Sequence, residues 1–272
     1  TKDGKVELGS DDPDVAPTSL DYKQVKLTAK TLKELGVKRL ILARETPLEM
    51  IRKIKNEVEI DLEIFVQGAL CVSYSGQCLI SSFSVFRSGN RGECAQLCRL
   101  PYTLYKNDKK INDSAYLLSM KDLMTVYELQ DFIDAGVTSF KIEGRMRKVA
   151  YAVQAVVTYR KALDMLKSPN NHYDIEQKIE KLTVLFNRMY TKGLVSGEKS
   201  KDLVYSERPN HLGIMIGKVI NYQKHKATIK LSQSLHVKDG IRIIGKSIDL
   251  GDQVSRIIQN QTVVSYANAG DT

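Results

Sequence analysis

The apolar residues of this chain follow two patterns that alternate from residue 19 to about residue 170. Short continuous apolar runs are typical of buried strands, whereas apolar residues three or four positions apart are typical of amphipathic helices. The runs predict strands over residues 37–43, 62–66, 115–119 and 139–143. The helical spacing predicts helices over residues 19–35, 46–54, 122–135 and 148–166.

This alternation favours an α/β fold, because strands that alternate with helices usually pair in parallel through right-handed crossovers. A closed (β/α) barrel has eight strands in about 250 residues. Only four strands are evident before residue 170. The pattern therefore predicts half of the strands that a closed barrel needs.

The last part of the chain changes character. A helix is predicted over residues 173–187, and five short strands with turns between them follow, which is typical of a small antiparallel β-barrel. These strands are predicted over residues 214–220, 227–231, 240–244, 253–258 and 261–265. The predicted organisation is a polar tail (1–18), an α/β domain (19–170), a helical connector (171–210) and the small β-barrel (211–272).

All four cysteines lie in one stretch, with the spacing C-x6-C-x15-C-x3-C. Cys71, Cys78, Cys94 and Cys98 could ligate an iron–sulfur cluster or a structural zinc ion. The two tight C-x2-C pairs of zinc ribbons are absent, which favours a [4Fe-4S] cluster and leaves zinc as the alternative. Reduced core cysteines are a second interpretation. Disulfides rank third, because the chain is large and shows no secretory signal.

The chain is basic, with 41 Lys and Arg against 32 Asp and Glu and a formal charge of +9. This balance favours a polyanionic partner such as RNA, although a merely solubilising surface charge is the alternative. No apolar run is long enough for a membrane span, so we expect a cytoplasmic protein with no membrane partner.

Charged residues around the predicted strand 139–143 are candidates for catalysis. Lys141 and Glu143 are two residues apart and therefore share a face of the strand, and Arg145 lies just beyond its end. Arg145 and Arg147 could clamp a carboxylate or phosphate, and Glu143 could orient them or act as a base. The alternative is a structural ion pair.

The cysteine stretch itself carries candidate substrate-binding residues. Its arginines, Arg87, Arg91 and Arg99, could stabilise thiolate ligands or grip RNA phosphates. Tyr74 and Tyr102 flank the cysteines and could stack on a base or pack the loop. Serine-hydrolase, zinc-protease and P-loop motifs are absent.

Three runs of sequence resemble the collagenase-like peptidase family U32. They span residues 63–81, 87–102 and 139–147, and they occur in the family's order. The sequence of the second run is most similar to that of members that hydroxylate a cytidine of large-subunit ribosomal RNA. Other members hydroxylate the wobble uridine of transfer RNA or take part in oxygen-independent ubiquinone synthesis.

The resemblance implies a TIM-like (β/α) barrel whose first half lies upstream of residue 19, followed by a small barrel similar to translation-factor domain II. It also implies a [4Fe-4S] cluster on the cysteines. Some relatives take the fourth thiolate from a later Lys-Asp-Leu-Cys run, where this chain has Met124. Cys98 is then the expected fourth ligand.

We therefore expect an iron–sulfur enzyme that hydroxylates a pyrimidine of ribosomal RNA, with transfer RNA as the alternative substrate. Related hydroxylases are linked to prephenate as a hydroxyl source, which Arg145 or Arg147 could bind. A collagenase-like peptidase is the alternative enzyme, and it would require a cysteine nucleophile to find a distant histidine base. A non-catalytic RNA-binding module is the third hypothesis.

Overall fold

The computed structural model describes residues 22–168, 170–245 and 248–272. Two compact units divide the chain, with the boundary between Gly213 and Ile214. The predicted tail lies outside the described residues. Among the described residues, no helix combines the length and the apolar character that a membrane crossing requires.

The first unit contains six helices and seven strands among its described residues. The helices are α1 Tyr22–Glu34, α2 Leu48–Glu57, α3 Ile80–Val85, α4 Leu129–Asp134, α5 Val149–Lys167 and α6 Ile175–Leu185. The strands are β1 Arg39–Ile41, β2 Asp61–Ala69, β3 Tyr105–Lys106, β4 Lys109–Lys110, β5 Asp122–Met124, β6 Ser139–Ile142 and β7 Tyr190–Thr191.

Strand β2 is the centre of a five-stranded sheet. It pairs in parallel with β1 and with β6, and its last residues pair antiparallel with β5. Strand β7 then extends the sheet through a parallel pairing with β5. This arrangement aims the end of β2 directly into the cysteine stretch, because Cys71 follows Ala69 by two residues.

The core of the first unit lies between this sheet and helices α2, α4 and α5. Leu62, Ile64 and Val66 alternate along β2 and are buried, as a half-buried strand requires. Tyr159 of α5 joins the helix to the sheet, since its hydroxyl donates to the carbonyl oxygen of Val66 at 2.6 Å. The hydroxyl oxygen of Tyr159 in turn accepts from the backbone N–H of Thr125 at 3.0 Å. A buried hydroxyl with both roles satisfied stabilises the packing.

Two sequence predictions are wrong in the first unit. Residues 115–119 form no strand, and Ala115 makes only an isolated bridge with Tyr102. The predicted helix over 122–135 is instead β5 followed by the short helix α4. Leu123 is buried between β2 and β7, so pairing within the sheet overrides its helical spacing.

The predicted half of a TIM-like barrel is not confirmed. The structure has a mixed sheet in which β5 runs antiparallel to β2, and the described residues form no closed barrel. The broader prediction of an α/β fold with β1, β2 and β6 in parallel is confirmed.

The second unit is built from two-stranded antiparallel sheets, and no closed barrel is formed by its described residues. A small core of Leu231, Leu235, Val254 and Ala267 lies within it. The predicted strand 253–258 is broken after Gln253, because buried Val254 bonds to Asp239 and Lys238 instead of continuing a ladder. The strands are β8 Gly217–Gln223, β9 Lys226–Leu231, β10 Leu235–His236, β11 Gly240–Ile244, β12 Asp249–Gln253, β13 Ile257–Gln259, β14 Thr262–Val264 and β15 Tyr266–Ala267.

Gly68, near the end of β2, has a backbone conformation and a close contact that leave no room for a side chain. Its φ is +112°, and an added Cβ would lie 2.2 Å from the carbonyl oxygen of Glu143. We expect Gly68→Ala to lower the free energy of unfolding by about 3 kcal/mol, because strain and a backbone clash combine. Urea denaturation would measure this.

Gly76→Ala is the matched control. Its φ is also positive, at +78°, but an added Cβ would meet nothing within 4 Å. Only the left-handed backbone is then penalised, by about 1 kcal/mol. Equal losses in the two variants would mean that the contact with Glu143 relaxes freely.

Candidate functional site

The cysteines lie on a loop that leaves the end of β2, and we call residues 71–102 the cysteine loop. It contains α3 and two short 3₁₀ turns, Gly89–Arg91 and Leu97–Arg99. All four cysteines are free thiols and partly buried. The loop is therefore folded around its cysteines without a disulfide.

The four thiols share one electrostatic neighbourhood. Burial raises the pKa of Cys71, and negative charge on Cys78, Cys98 and Cys94 acts in the same direction. Burial likewise raises the pKa of Cys98, whereas the charge of neighbouring Arg99 lowers it. The neutral thiol forms of Cys71 and Cys98 are therefore favoured by burial and by the neighbouring cysteines.

The side chains do not stand at ligand positions. Among the described residues, no three Cys, His, Asp or Glu side chains are arranged to hold a metal ion. The Sγ of Cys94 instead accepts a hydrogen bond from the backbone N–H of Gln96 at 3.4 Å. The donor set still has the chemistry of a thiolate-bound metal centre, because it offers four soft ligands in cationic surroundings.

Arg99 fastens the cysteine loop to the sheet. Its guanidinium is buried and donates to the Oγ of Ser119 at 2.8 Å, to the carbonyl oxygen of Met120, and to that of Leu70 at 3.3 Å. Burial lowers the pKa of Arg99 to about 10, and the charge of Arg188 contributes. Arg99 follows Cys98 and bonds to Leu70, which precedes Cys71, so it holds the two ends of the cysteine loop close together.

The other predicted residues of the loop are placed differently from Arg99. Arg87 and Arg91 are exposed, as an RNA-phosphate contact requires. Tyr74 is 45% exposed and can present its ring. Tyr102 is partly buried, and its hydroxyl donates to the carbonyl oxygen of Leu97 at 2.9 Å. Packing of the loop, the second alternative for Tyr102, accounts for this contact.

Beneath the loop lies a buried ion network around Asp122, the first residue of β5. Asp122 is fully buried and accepts from Arg188 at 2.5 and 3.1 Å and from Arg147 at 3.4 Å. The guanidinium of Arg147 also lies 3.5 Å from the ring centroid of Phe186. We call Arg99, Arg147 and Arg188 the arginine cluster.

The arginine cluster has an excess of positive charge. Each guanidinium is at least nine-tenths buried, and among the described residues Asp122 is the only carboxylate that bonds to them. Because three guanidinium cations share one bonded carboxylate, two of the positive charges have no bonded anion. Because burial of unpaired charge is costly, this region is suited to an anionic partner.

The predicted catalytic residues Lys141, Glu143 and Arg145 lie near the cysteine loop or the strands beside it, and their side chains contact residues that the sequence did not indicate. Lys141 pairs with Glu63 at 3.3 Å, and Glu143 pairs with Arg44 at 3.6 Å. Arg145 is exposed, and its guanidinium lies over Gly92, where an added Cβ would be 2.4 Å from it. Arg145 thus lies against the cysteine loop, and the strand 139–142 is confirmed as its support.

Sequence reasoning missed Arg44, Asp122 and Arg188. Arg44 follows β1 and stacks over the ring of Phe65 at 3.9 Å, and burial lowers its pKa. A position just after the carboxyl end of a parallel strand is a usable signal for Arg44. Arg188 carried no such signal, because nothing local distinguishes it from the other basic residues.

A cavity of about 230 Å³ opens beside Cys71. One wall comes from the start of the cysteine loop, and the other comes from residues 194–204, in the predicted connector. In the first unit, neither His172 nor His211 lines the cavity, and His211 stacks on Phe186 and lies 3.1 Å from the carbonyl oxygen of Val184. The described residues of the first unit therefore form no cysteine–histidine pair.

Known proteins similar to this chain carry names that refer to RNA hydroxylation or to collagenase. The chain is 35% identical to the 23S rRNA 5-hydroxycytidine C2501 synthase of Escherichia coli K12, over 89% of this chain and 38% of that protein. It is 32% identical to tRNA hydroxylation protein P1 of Bacillus subtilis 168, over 80% of this chain and 54% of the relative. A protein named collagenase, of Porphyromonas gingivalis W83, is 32% identical over 76% of this chain and 55% of its own length.

The chain spans from about two fifths to just over half the length of these relatives. No solved structure matches it. The family model for peptidase family U32 matches residues 19–204, which include the cysteine loop, the arginine cluster and both walls of the cavity. The chain therefore belongs to peptidase family U32.

Proposed function

We propose that this chain is the iron–sulfur part of an enzyme that hydroxylates a pyrimidine base of RNA. The observation that carries the proposal is the cysteine loop, which holds four free thiols and in which Cys98 lies near the buried Arg99 and Arg188. The names of the relatives support an RNA substrate, since two of them act on ribosomal or transfer RNA.

Cys71, Cys78, Cys94 and Cys98 would hold the cluster. A [4Fe-4S]²⁺ core with four thiolates carries about two negative charges, which would balance the excess of the arginine cluster. A zinc ion with four thiolates carries the same charge, so charge balance favours a metal centre but does not distinguish zinc from iron–sulfur. When bound, an iron–sulfur cluster supplies one-electron chemistry.

Exposed cations around the loop would bind the RNA. Arg87 and Arg91 are free to contact phosphates, and the ring of Tyr74 is available for stacking. Arg147 is committed to Asp122, so Arg145 is the better candidate to bind the carboxylates of a hydroxyl donor such as prephenate. Glu143 would help to position Arg145, because its Oε1 accepts from the backbone N–H of Arg145 at 3.1 Å. The side chains of Glu143 and Lys141 form ion pairs with Arg44 and Glu63, respectively.

The test combines metal analysis with an RNA assay. We expect anaerobically purified protein to contain about four iron and four sulfide per chain and to absorb in the visible blue. In cells that lack the native gene, the natural gene is expected to restore a hydroxylated pyrimidine, and a Cys71→Ala version is not. Stoichiometric zinc, or full modification by Cys71→Ala, would contradict the proposal.

The competing function is a peptidase, because some relatives are named collagenase. It predicts peptide cleavage by metal-free protein and loss of cleavage in Cys71→Ala or Cys78→Ala. The absence of a cysteine–histidine pair among the described residues of the first unit places this function second. Salt-dependent RNA binding with neither reaction would indicate a binding module.

A further inference from the structure

We infer that the cavity beside Cys71 binds a single pyrimidine base flipped out of an RNA strand, with Glu45 selecting cytosine over uracil. This inference rests on the proposed function and assigns a place and a specificity residue to its substrate. Enzymes that modify a base generally extrude it into a fitted pocket, where apolar walls stack on it and polar groups read its edge.

The size of the cavity suits one ring. Its volume is about 230 Å³, below the roughly 300–1,000 Å³ of pockets for drug-sized ligands. The walls are largely apolar, because Leu70, Met120, Leu203 and Val204 belong to one packed apolar cluster that lines the cavity. One face of a flat ring could be buried against this cluster.

The polar groups lie at one end and combine a donor with an acceptor. Glu45 lines the cavity, and its Oε1 accepts from the N–H of Ser75 at 2.9 Å and from its Oγ at 3.1 Å. The described residues donate no hydrogen bond to its Oε2. The carboxylate is therefore oriented by the cysteine loop and keeps one oxygen available for a ligand.

Arg44 supplies the donor beside Glu45. Its guanidinium is held by Glu143 and by the ring of Phe65, so it is fixed before any ligand arrives. An acceptor next to a donor complements the edge of a pyrimidine, and a carboxylate is the group that accepts from the exocyclic amine of cytosine. Uracil has a carbonyl oxygen at that position, which a carboxylate repels.

The position of the cavity connects it to the proposed chemistry. Cys71 forms part of its wall, and the exposed side chains of Val72 and Tyr74 stand on the same side. A base bound here would lie beside the cysteines while its sugar and phosphates remain outside. An apolar peptide side chain would not use the paired charges of Arg44 and Glu45, which is why a base is the better occupant.

The first experiment locates the base directly. The anaerobically prepared natural protein is irradiated with short oligocytidylate or oligouridylate that carries one 5-iodopyrimidine, and the crosslinked peptides are identified by mass spectrometry. We expect crosslinks at cavity residues such as Tyr74 and Met120. Crosslinks confined to other regions, or occupation by a peptide probe and not by RNA, would overturn the inference.

The second experiment tests Glu45 as the specificity residue. In Glu45→Gln the amide oxygen can still accept from Ser75, while the amide nitrogen presents a donor to the base. We expect the ratio of cytosine to uracil crosslinking to fall about tenfold, the effect of one hydrogen-bond mismatch. Glu49→Gln makes the same charge change on an exposed residue of α2 and is expected to leave the ratio unchanged. An unchanged ratio in a folded Glu45→Gln protein would refute the role of Glu45.

The two experiments separate this inference from the proposed function. If the natural gene restores no RNA modification but the crosslinks map to the cavity, the base site stands and hydroxylation fails. If modification is restored and the crosslinks map elsewhere, hydroxylation stands and this site fails.

Discussion

Replacement of Asp122 by asparagine is expected to lower the free energy of unfolding by about 4 kcal/mol. Asp122 is fully buried against Arg147 and Arg188. Loss of its charge leaves two guanidinium groups without a compensating anion in a region that excludes water. Urea denaturation near neutral pH, followed by circular dichroism, would measure the loss.

Asp113→Asn is the matched control. Its carboxylate is 99% exposed and pairs with Lys110 at 2.7 Å. Exposed ion pairs contribute about 1 kcal/mol or less, so a small change is expected. Adding Arg188→Met to Asp122→Asn should recover part of the loss, because one uncompensated cation is removed. A double variant that is less stable than the sum of the two single changes would contradict this account of the charges.

Replacement of Cys98 by alanine is expected to reduce bound iron at least about tenfold, since even changes around a metal ligand lower affinity by 10–100-fold. RNA modification should fall with it. Cys98 lies in the electrostatic neighbourhood of Cys71, Cys78 and Cys94. Iron and sulfide analysis of anaerobically purified protein would measure the effect.

Met124→Leu is the control for the choice of fourth ligand. Met124 stands where the family resemblance implied an alternative cysteine ligand, and it lies on β5 and packs against the core around β2. Its replacement by another apolar side chain of similar volume should leave the iron content unchanged. Equal iron loss in Met124→Leu and Cys98→Ala would contradict the assignment of Cys98 as the fourth ligand.

The parts of the fold that were predictable have a strong local pattern. Strand β2 has apolar residues at alternating positions, and α5 has helical spacing over five turns. Strand β5 has only three residues, and Leu123 fits a helix equally well. What makes it a strand is its pairing with β2 and β7, and such distant pairings are not encoded in local spacing.

The candidate site divides in the same way. The cysteines could be identified because their spacing is itself a sequence feature, and Arg145 because it follows a clear strand. The pairing of Asp122 with Arg188 joins residues 66 positions apart. The ion pairs of Glu143 with Arg44 and of Lys141 with Glu63 likewise join residues far apart in the sequence, so local spacing does not indicate them.

The hydrogen bonds of Arg99 have a consequence for how a metal centre would be assembled. A long flexible loop normally loses considerable conformational entropy when its ends are brought together. Here that closure is made by one guanidinium that joins Leu70, Ser119 and Met120 beside Cys98. In a zinc finger the metal itself makes this closure, whereas here Arg99 would share it with any bound metal. Removal of the metal from such a loop would leave its two ends joined through Arg99, with four thiols that are only partly buried and can be oxidised.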